Sequence, residues 1–141
     1  MTSQPTLASS AIVERQSRLL LIRRRNPPAA DLFAFPGGRA EAGETPAETA
    51  LRELFEETGL RGANPRLFAT YDLLPETRDG VAAHHFFLSV FRVETDDETI
   101  AQASSDATEA GWYLPEEIAE LPVPESVLDC VRRLVAMSKG E

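Results

Sequence analysis

The chain has 141 residues, a net charge of −9, and 43% hydrophobic and 26% charged residues. That is the length of one domain with a core of its own, and the balance of a water-soluble globular protein. An acidic excess of this size argues against a nucleic-acid surface, and the longest aliphatic run, Leu19 to Ile22, is far too short to span a bilayer.

In chain order, Met1 to Ala8 reads as a loose tail, polar and without an apolar signal segment. Ile12-Val13 and Leu19 to Ile22 read as strands joined at Gln16-Ser17. Arg23-Arg24-Arg25 closes the second strand and Asn26-Pro27-Pro28 breaks it. Leu32 to Phe35 is a short strand running into Pro36-Gly37-Gly38. Arg66 to Leu74 and Ala83 to Val93 look like a strand pair, with Glu76 to Gly80 as their turn. Trp112-Tyr113-Leu114 is a further strand. Pro115 to Glu120 is a short helix, and Pro124 opens a longer one through Ser126 to Met137. Strands mixed with two or three helices predict an α/β sheet covered on both faces, as one domain over residues 1–141.

The segment from Thr45 to Gly59 is marked most clearly. Thr45-Pro46-Ala47-Glu48 is a capping box with proline at the first helical position, and Gly59 stands at the left-handed stop. Ala47, Leu51, Leu54, Phe55 and Thr58 form an apolar stripe. Glu53, Glu56 and Glu57 gather almost opposite, at spacings of three and four. Like charges so placed repel, and they lie in the half of the helix where the dipole disfavours anions. The arrangement suggests a cation to be held. The only basic residue inside the helix is Arg52, within reach of Glu48 or Glu56. Carboxylates with no His or Cys beside them suit a hard ion such as Mg²⁺.

The full run is Gly38, five residues, Glu44, seven residues, then Arg52-Glu53-Leu54-Phe55-Glu56-Glu57-Thr58-Gly59-Leu60. It resembles the Nudix box without a departure, and Phe35-Pro36-Gly37-Gly38 matches the sequence that usually precedes the box. The resemblance implies an α/β/α sandwich with a mixed sheet. It also implies a Mg²⁺-dependent hydrolase (Mn²⁺ being an alternative ion) in which water attacks a phosphorus of a nucleoside diphosphate linked to another group. Carried over by position, Glu56 and Glu57 are metal ligands and Glu53 is a ligand or the general base. Arg52 orients these carboxylates, Glu44 supports the loop or a second ion, and the Gly37 carbonyl is a further ligand. Gly37 and Gly38 allow close backbone approach to substrate. Where the base comes from a later loop, Asp106 is best placed, with Glu109 next; both also read as solvated loop acids.

One of Arg23 and Arg24, on opposite sides of the strand end, reaches phosphate, and Arg24 is favoured. An inward His at position 84 or 85, and the rings of Phe33, Phe35 and Tyr71, read as core. The acidic stretch Glu94 to Glu98 reads as solvated, and Cys130 as a buried inert thiol in a reducing, cytoplasmic setting. Pro75, fifteen residues after Leu60, resembles a spacing of the ADP-ribose branch of the family. That branch is the favoured substrate class, ahead of nucleoside triphosphate pyrophosphohydrolases and of a non-catalytic nucleotide-binding module. The NADH branch's Ser-Gln-Pro-Trp-Pro-Phe-Pro run is absent, and the chain is short for an isoprenoid isomerase. The expected partner is a small nucleotide, with neither nucleic acid nor membrane, bound by a monomer or homodimer.

Overall fold

The computed structural model describes residues 4–25, 30–74, 77–78, 81–82 and 85–139. The Asn26-Pro27-Pro28 break, Pro75, most of the Glu76–Gly80 turn and His84 lie outside them.

Strand β1 (Thr6–Ile12) is the centre of the architecture. It pairs antiparallel with β5 (Gly37–Arg39) on one side and parallel with β9 (Phe86–Glu94) on the other, and β9 pairs antiparallel with β6 (Ala63–Leu73). The order β5-β1-β9-β6 is a mixed sheet. A second sheet runs β10-β3-β2, from β2 (Glu14–Arg15), β3 (Arg18–Arg24) and β10 (Ala107–Tyr113), with β4 (Phe33–Ala34) also on β3. β7 (Thr77–Arg78) and β8 (Val81–Ala82) pair antiparallel as a separate two-stranded sheet. Gln16 and Ser17, the predicted joint, carry φ of 52° and 66°, as the tight hairpin turn between β2 and β3 requires.

Among the described residues three helices cover the sheets: α1 (Pro46–Thr58), α2 (Pro115–Ile118) and α3 (Glu125–Lys139). Strand alternation sorts the core into two layers. Ile12, Leu19 and Leu21 pack with Ile118, Val127, Cys130 and Val131 of α2 and α3. Ala11, Val13 and Leu20 pack with Ala50 and Leu54 of α1. The α/β/α sandwich expected from the sequence is therefore present. Among the described residues no helix is long and apolar enough to cross a membrane.

Several expectations are corrected. The tail ends before Thr6, because Thr6–Ala8 belong to β1, in register with Phe86–Leu88. The first half of the strand carries no apolar run; its buried members are Ser9 and Ser10, and a Cβ on Gly37 of β5 would stand 2.7 Å from the Ser10 Cβ. β10 starts at Ala107, five residues before Trp112. Phe55 leaves the buried stripe: it is exposed, with the Arg61 guanidinium 4.4 Å from its ring centre. The acids of the stretch after β9 are exposed, as expected, and hydrogen bonds also order it. The Asp96 carboxylate accepts from the Glu98 and Thr99 amides at 2.8 and 2.7 Å. Arg15 donates to the Asp96 and Thr99 carbonyls at 2.6 and 2.9 Å, pinning the turn to β2.

Candidate active site

The site forms where α1 faces β5 and the end of β3. The helix begins as its sequence dictates. Thr45 accepts from the Glu48 amide at 3.2 Å, Glu48 returns the contact to the Thr45 amide at 2.8 Å, and Gly59 closes the helix at φ 79°. This fixes the rotation of the helix, and with it the direction of the acids.

The acids do not share an open face. Glu57 is 1% exposed, and its Oε1 accepts from the Gly37 amide at 2.9 Å. Glu53 is turned against β5 so closely that a Cβ on Gly38 would stand 1.8 Å from its Oε2. Only Glu56 stays substantially exposed, with 43% of its side chain open. The helix is thus buried on two sides, by the apolar layer along Ala50, Leu54 and Thr58 and by the diglycine strand along Glu53 and Glu57.

Arg52 ties the acids to the preceding loop, with its Nη1 3.7 Å from Glu53 Oε1. Its Nε meets Glu44 Oε2 at 2.6 Å, its Nη1 meets Glu56 Oε1 at 3.1 Å, and its Nη2 donates to the Arg39 carbonyl at 2.9 Å. Arg52 therefore reaches forward to Glu56 and across to Glu44, while Glu48 is spent on the cap. Glu44 also accepts from Thr49 Oγ1 at 2.8 Å and from the Glu41 amide at 2.9 Å. These bonds tie Glu44 to the 41–52 segment.

The electrostatics follow from this packing. Hydrogen bonds from Arg52 and the Glu41 amide bring the Glu44 carboxyl down to about 2. Burial pushes Glu57 up to about 8 against the Gly37 hydrogen bond, with the neighbouring Glu53 charge adding to the rise. Burial, with Glu56 alongside, pushes Glu53 up to about 7 although Arg52 opposes it. Two adjacent carboxyls held in a dry place without enough positive charge are a donor set suited to a hard divalent cation. Among the described residues no three acids already converge at metal-binding geometry. Glu56 is salt-bridged to Arg52 and exposed.

Beside the acids lies a cleft of about 280 Å³. It is lined by Gly37, Gly38 and two arginines, Arg24 and Arg39, together with apolar Phe35, Leu73, Phe86, Leu88 and Val127; the Arg39 guanidinium stands 5.4 Å from the Phe86 ring centre. Arg24 lies in this cleft, ion-paired to Asp106 at 3.2 Å. Arg23 turns the other way, over the Phe33 ring and towards Glu109 at 3.9 Å. Strand alternation at positions 23 and 24 separates the two arginines as expected. Glu109 goes with Arg23, away from the acids. Phe33 and Phe35 are core residues, Phe35 also lining the cleft. Tyr71 donates to Asp129 Oδ2 at 2.6 Å and also meets the buried Cys130 sulfur, whose thiol is pushed up by burial. His85 pairs with Asp72. The apolar wall was not singled out from sequence. Its signal was the period-two recurrence of Phe86, Leu88 and Val90 along β9.

A sandwich with a carboxylate helix packed on a diglycine strand, beside a cleft that combines arginines with apolar side chains, frames the candidate site. The family model for the NUDIX domain matches residues 4–134, and the chain belongs to the Nudix family. It is 36% identical over 110 residues to an ADP-ribose pyrophosphatase of Methanocaldococcus jannaschii, covering 77% of this chain and 62% of that protein. It is 33% identical over 116 residues to a putative 8-oxo-dGTP diphosphatase of Bacillus subtilis, covering 80% of this chain and 68% of that one. The chain thus spans roughly two thirds of the length of these relatives. In fold it is similar to the Nudix domain of Shewanella oneidensis NrtR complexed with ADP-ribose, at a TM-score of 0.78 and 18% identity, over 96% of this chain and 90% of that one.

Proposed function

We propose that the chain hydrolyses the diphosphate of a nucleoside diphosphate joined to a second moiety, with ADP-ribose as the favoured substrate. The observation that carries this reading is the mixed lining of the cleft beside the acids. It offers Phe86, Leu73 and Leu88 to a flat nucleobase, and Arg24 and the Gly37-Gly38 backbone to phosphates. The likeness to an ADP-ribose pyrophosphatase supports the same substrate.

Divalent metals are general among Nudix hydrolases. Here Glu56, Glu57 and the Gly37 carbonyl would hold Mg²⁺ or Mn²⁺, which sharpens an attacking water and neutralises charge on the diphosphate oxygens. Glu53 serves as a further ligand or accepts the proton of that water. Its proximity to Gly38 sets it at the strand along which the substrate lies. Arg52 keeps Glu56 and the 39–44 loop in place. Arg24 binds a phosphate oxygen and orients the diphosphate for attack.

A second reading, a nucleoside triphosphate pyrophosphohydrolase, is favoured by the likeness to the B. subtilis protein. A non-catalytic nucleotide-binding module is disfavoured by the undamaged set of acids. Initial rates with ADP-ribose, nucleoside diphosphate sugars, dinucleotides, 8-oxo-dGTP and ordinary triphosphates, with Mg²⁺ and with EDTA, test all three. The expected result is metal-dependent release of AMP and ribose 5-phosphate from ADP-ribose. A higher kcat/KM for a triphosphate, with pyrophosphate released, selects the second reading. Binding without turnover of any compound selects the third.

A further inference from the structure

We propose that Asp106 is a positioning residue: its carboxylate holds the Arg24 guanidinium in the cleft, where it meets phosphate. This rests on the reading of the cleft as a diphosphate site, and it gives Asp106 a role other than that of the base.

The pair is placed by both of its backbones. Arg24 is the last residue of β3, and Asp106 immediately precedes β10, which pairs with β3 in the register Ala107 to Arg24. The Arg25 amide donates to the Asp106 carbonyl at 2.8 Å. The approach of the Asp106 carboxylate to Arg24 Nη2 at 3.2 Å is therefore set by the ladder between the two strands. Both side chains are largely buried, about a fifth of each remaining open.

The segment carrying Asp106 is irregular just where this contact requires it. Ser105 sits at φ 58°, a left-handed conformation that costs a non-glycine residue energy. The Ala107 amide closes the turn on the Ser104 carbonyl at 3.0 Å. Directly afterwards the β10–β3 register slips between Ala107 and Glu109. Such slips re-aim side chains beside functional sites. The same loop is bonded to the end of the acid helix, through the Gln102 amide to the Thr58 carbonyl and the Ser104 amide to the Glu57 carbonyl, each at 3.0 Å. Asp106 thus transmits the position of α1 to Arg24.

Arg24 is not fully used in this arrangement. Its Nε is buried and finds no hydrogen-bond partner among the described residues. A buried unsatisfied donor is costly, and a bound phosphate would give the guanidinium further acceptors. Asp106 occupies one edge of the guanidinium and restrains how far it can turn. A base needs a carboxylate turned to the attacking water, whereas this one is turned to an arginine.

A double-mutant cycle on the full chain decides the matter. Asp106→Ala, Arg24→Ala and the double variant would be compared with the parent, by kcat and KM for ADP-ribose with Mg²⁺ and by calorimetric affinity for ADP-ribose in EDTA. Should the substrate panel show 8-oxo-dGTP to be preferred, that compound replaces ADP-ribose in the cycle. We expect Asp106→Ala to weaken binding and raise KM about tenfold, and to have less than about a twofold effect once Arg24 is alanine. Asp106→Asn, which keeps an acceptor, should recover part of the loss. If Asp106→Ala instead lowers kcat about a hundredfold with KM and affinity unchanged, in both Arg24 backgrounds, Asp106 is the base and the inference is wrong. Additive losses of affinity accompanied by a lower melting temperature would make the residue merely structural, and would also overturn it. A parent chain that binds the nucleotide but turns none over refutes the hydrolase reading alone, since the calorimetric cycle still decides for or against Asp106.

Discussion

Gly38→Ala should separate catalysis from folding. A methyl group there would stand 1.8 Å from Glu53 Oε2 and 2.6 Å from its Cδ, where real Cβ contacts essentially never fall below 3.0 Å. The Glu53 carboxylate must therefore retreat by more than 1 Å. It is the end of a flexible side chain, so the backbone need not move, and overpacking of this kind costs about 1–3 kcal/mol. A catalytic group misplaced by about 1 Å can lose a hundredfold in rate, about 2.7 kcal/mol of barrier. The neighbouring glycine provides the contrast. A Cβ on Gly37 would meet the Ser9 carbonyl at 2.4 Å and Ser10 Cα at 2.8 Å, both in the backbone of β1, which has nowhere to go. We expect Gly38→Ala to retain a cooperative melt while kcat falls about a hundredfold, and Gly37→Ala to be the much less stable protein. Urea unfolding and steady-state rates at saturating Mg²⁺ give both numbers. A Gly38→Ala protein with near-parental kcat would remove Glu53 from the reaction, and equal destabilisation by the two substitutions would refute the steric reasoning.

Three further outcomes are expected. Glu57→Gln keeps an acceptor for the Gly37 amide but removes a buried charge. In EDTA at pH 8 it should be at least as stable as the parent, while losing the Mg²⁺-induced rise in melting temperature and at least a hundredfold in kcat; a markedly lower melt would show the charge to be structural. Glu53 and Glu57, raised from 4.5 to about 7 and about 8, contribute stability present below pH 4.5 and lost as pH rises towards 8; Glu44, lowered to about 2, contributes stability present above 4.5 and lost as pH falls towards 2. Urea midpoints of the metal-free chain should therefore fall between pH 5 and pH 8 relative to Glu57→Gln, and parallel profiles would contradict the assignment. Arg52→Lys keeps the charge but not the fork that reaches Glu44, Glu56 and the Arg39 carbonyl, so it should cost about 1–3 kcal/mol in urea unfolding and lower kcat.

Legibility in the sequence followed how local each determinant was. Helix α1 was readable at both ends because a capping box and a terminal glycine act within a few residues. The two core layers were readable in outline because a buried strand in a covered sheet shows as an aliphatic run such as Leu19 to Ile22. The first half of β1 was not. There Gly37, distant in the sequence, packs directly on the Ser9 carbonyl and on Ser10, an approach that requires a glycine. Asp106 was found as a candidate acid by its place before Trp112. Its partner was hidden, because a pairing between β3 and β10 brings residues 24 and 106 together, and no short-range pattern encodes that register.

The angular pattern of α1 misled in an instructive way. Apolar residues on one side and acids on the other ordinarily mean core and solvent. Here the second side faces a strand of glycines, so Glu53 and Glu57 are buried by a partner that has no side chains to show in the hydrophobic pattern. The sequence still carried the information, in the pairing of Gly37-Gly38 with acids fifteen and twenty residues later. A diglycine strand can accept a carboxylate against its backbone, and Gly37 supplies the amide that Glu57 needs. The same approach leaves the two acids short of positive charge and raises both. The features that make them costly in the folded chain, dryness and mutual repulsion, are the ones that would make a divalent cation and its phosphate ligands welcome there.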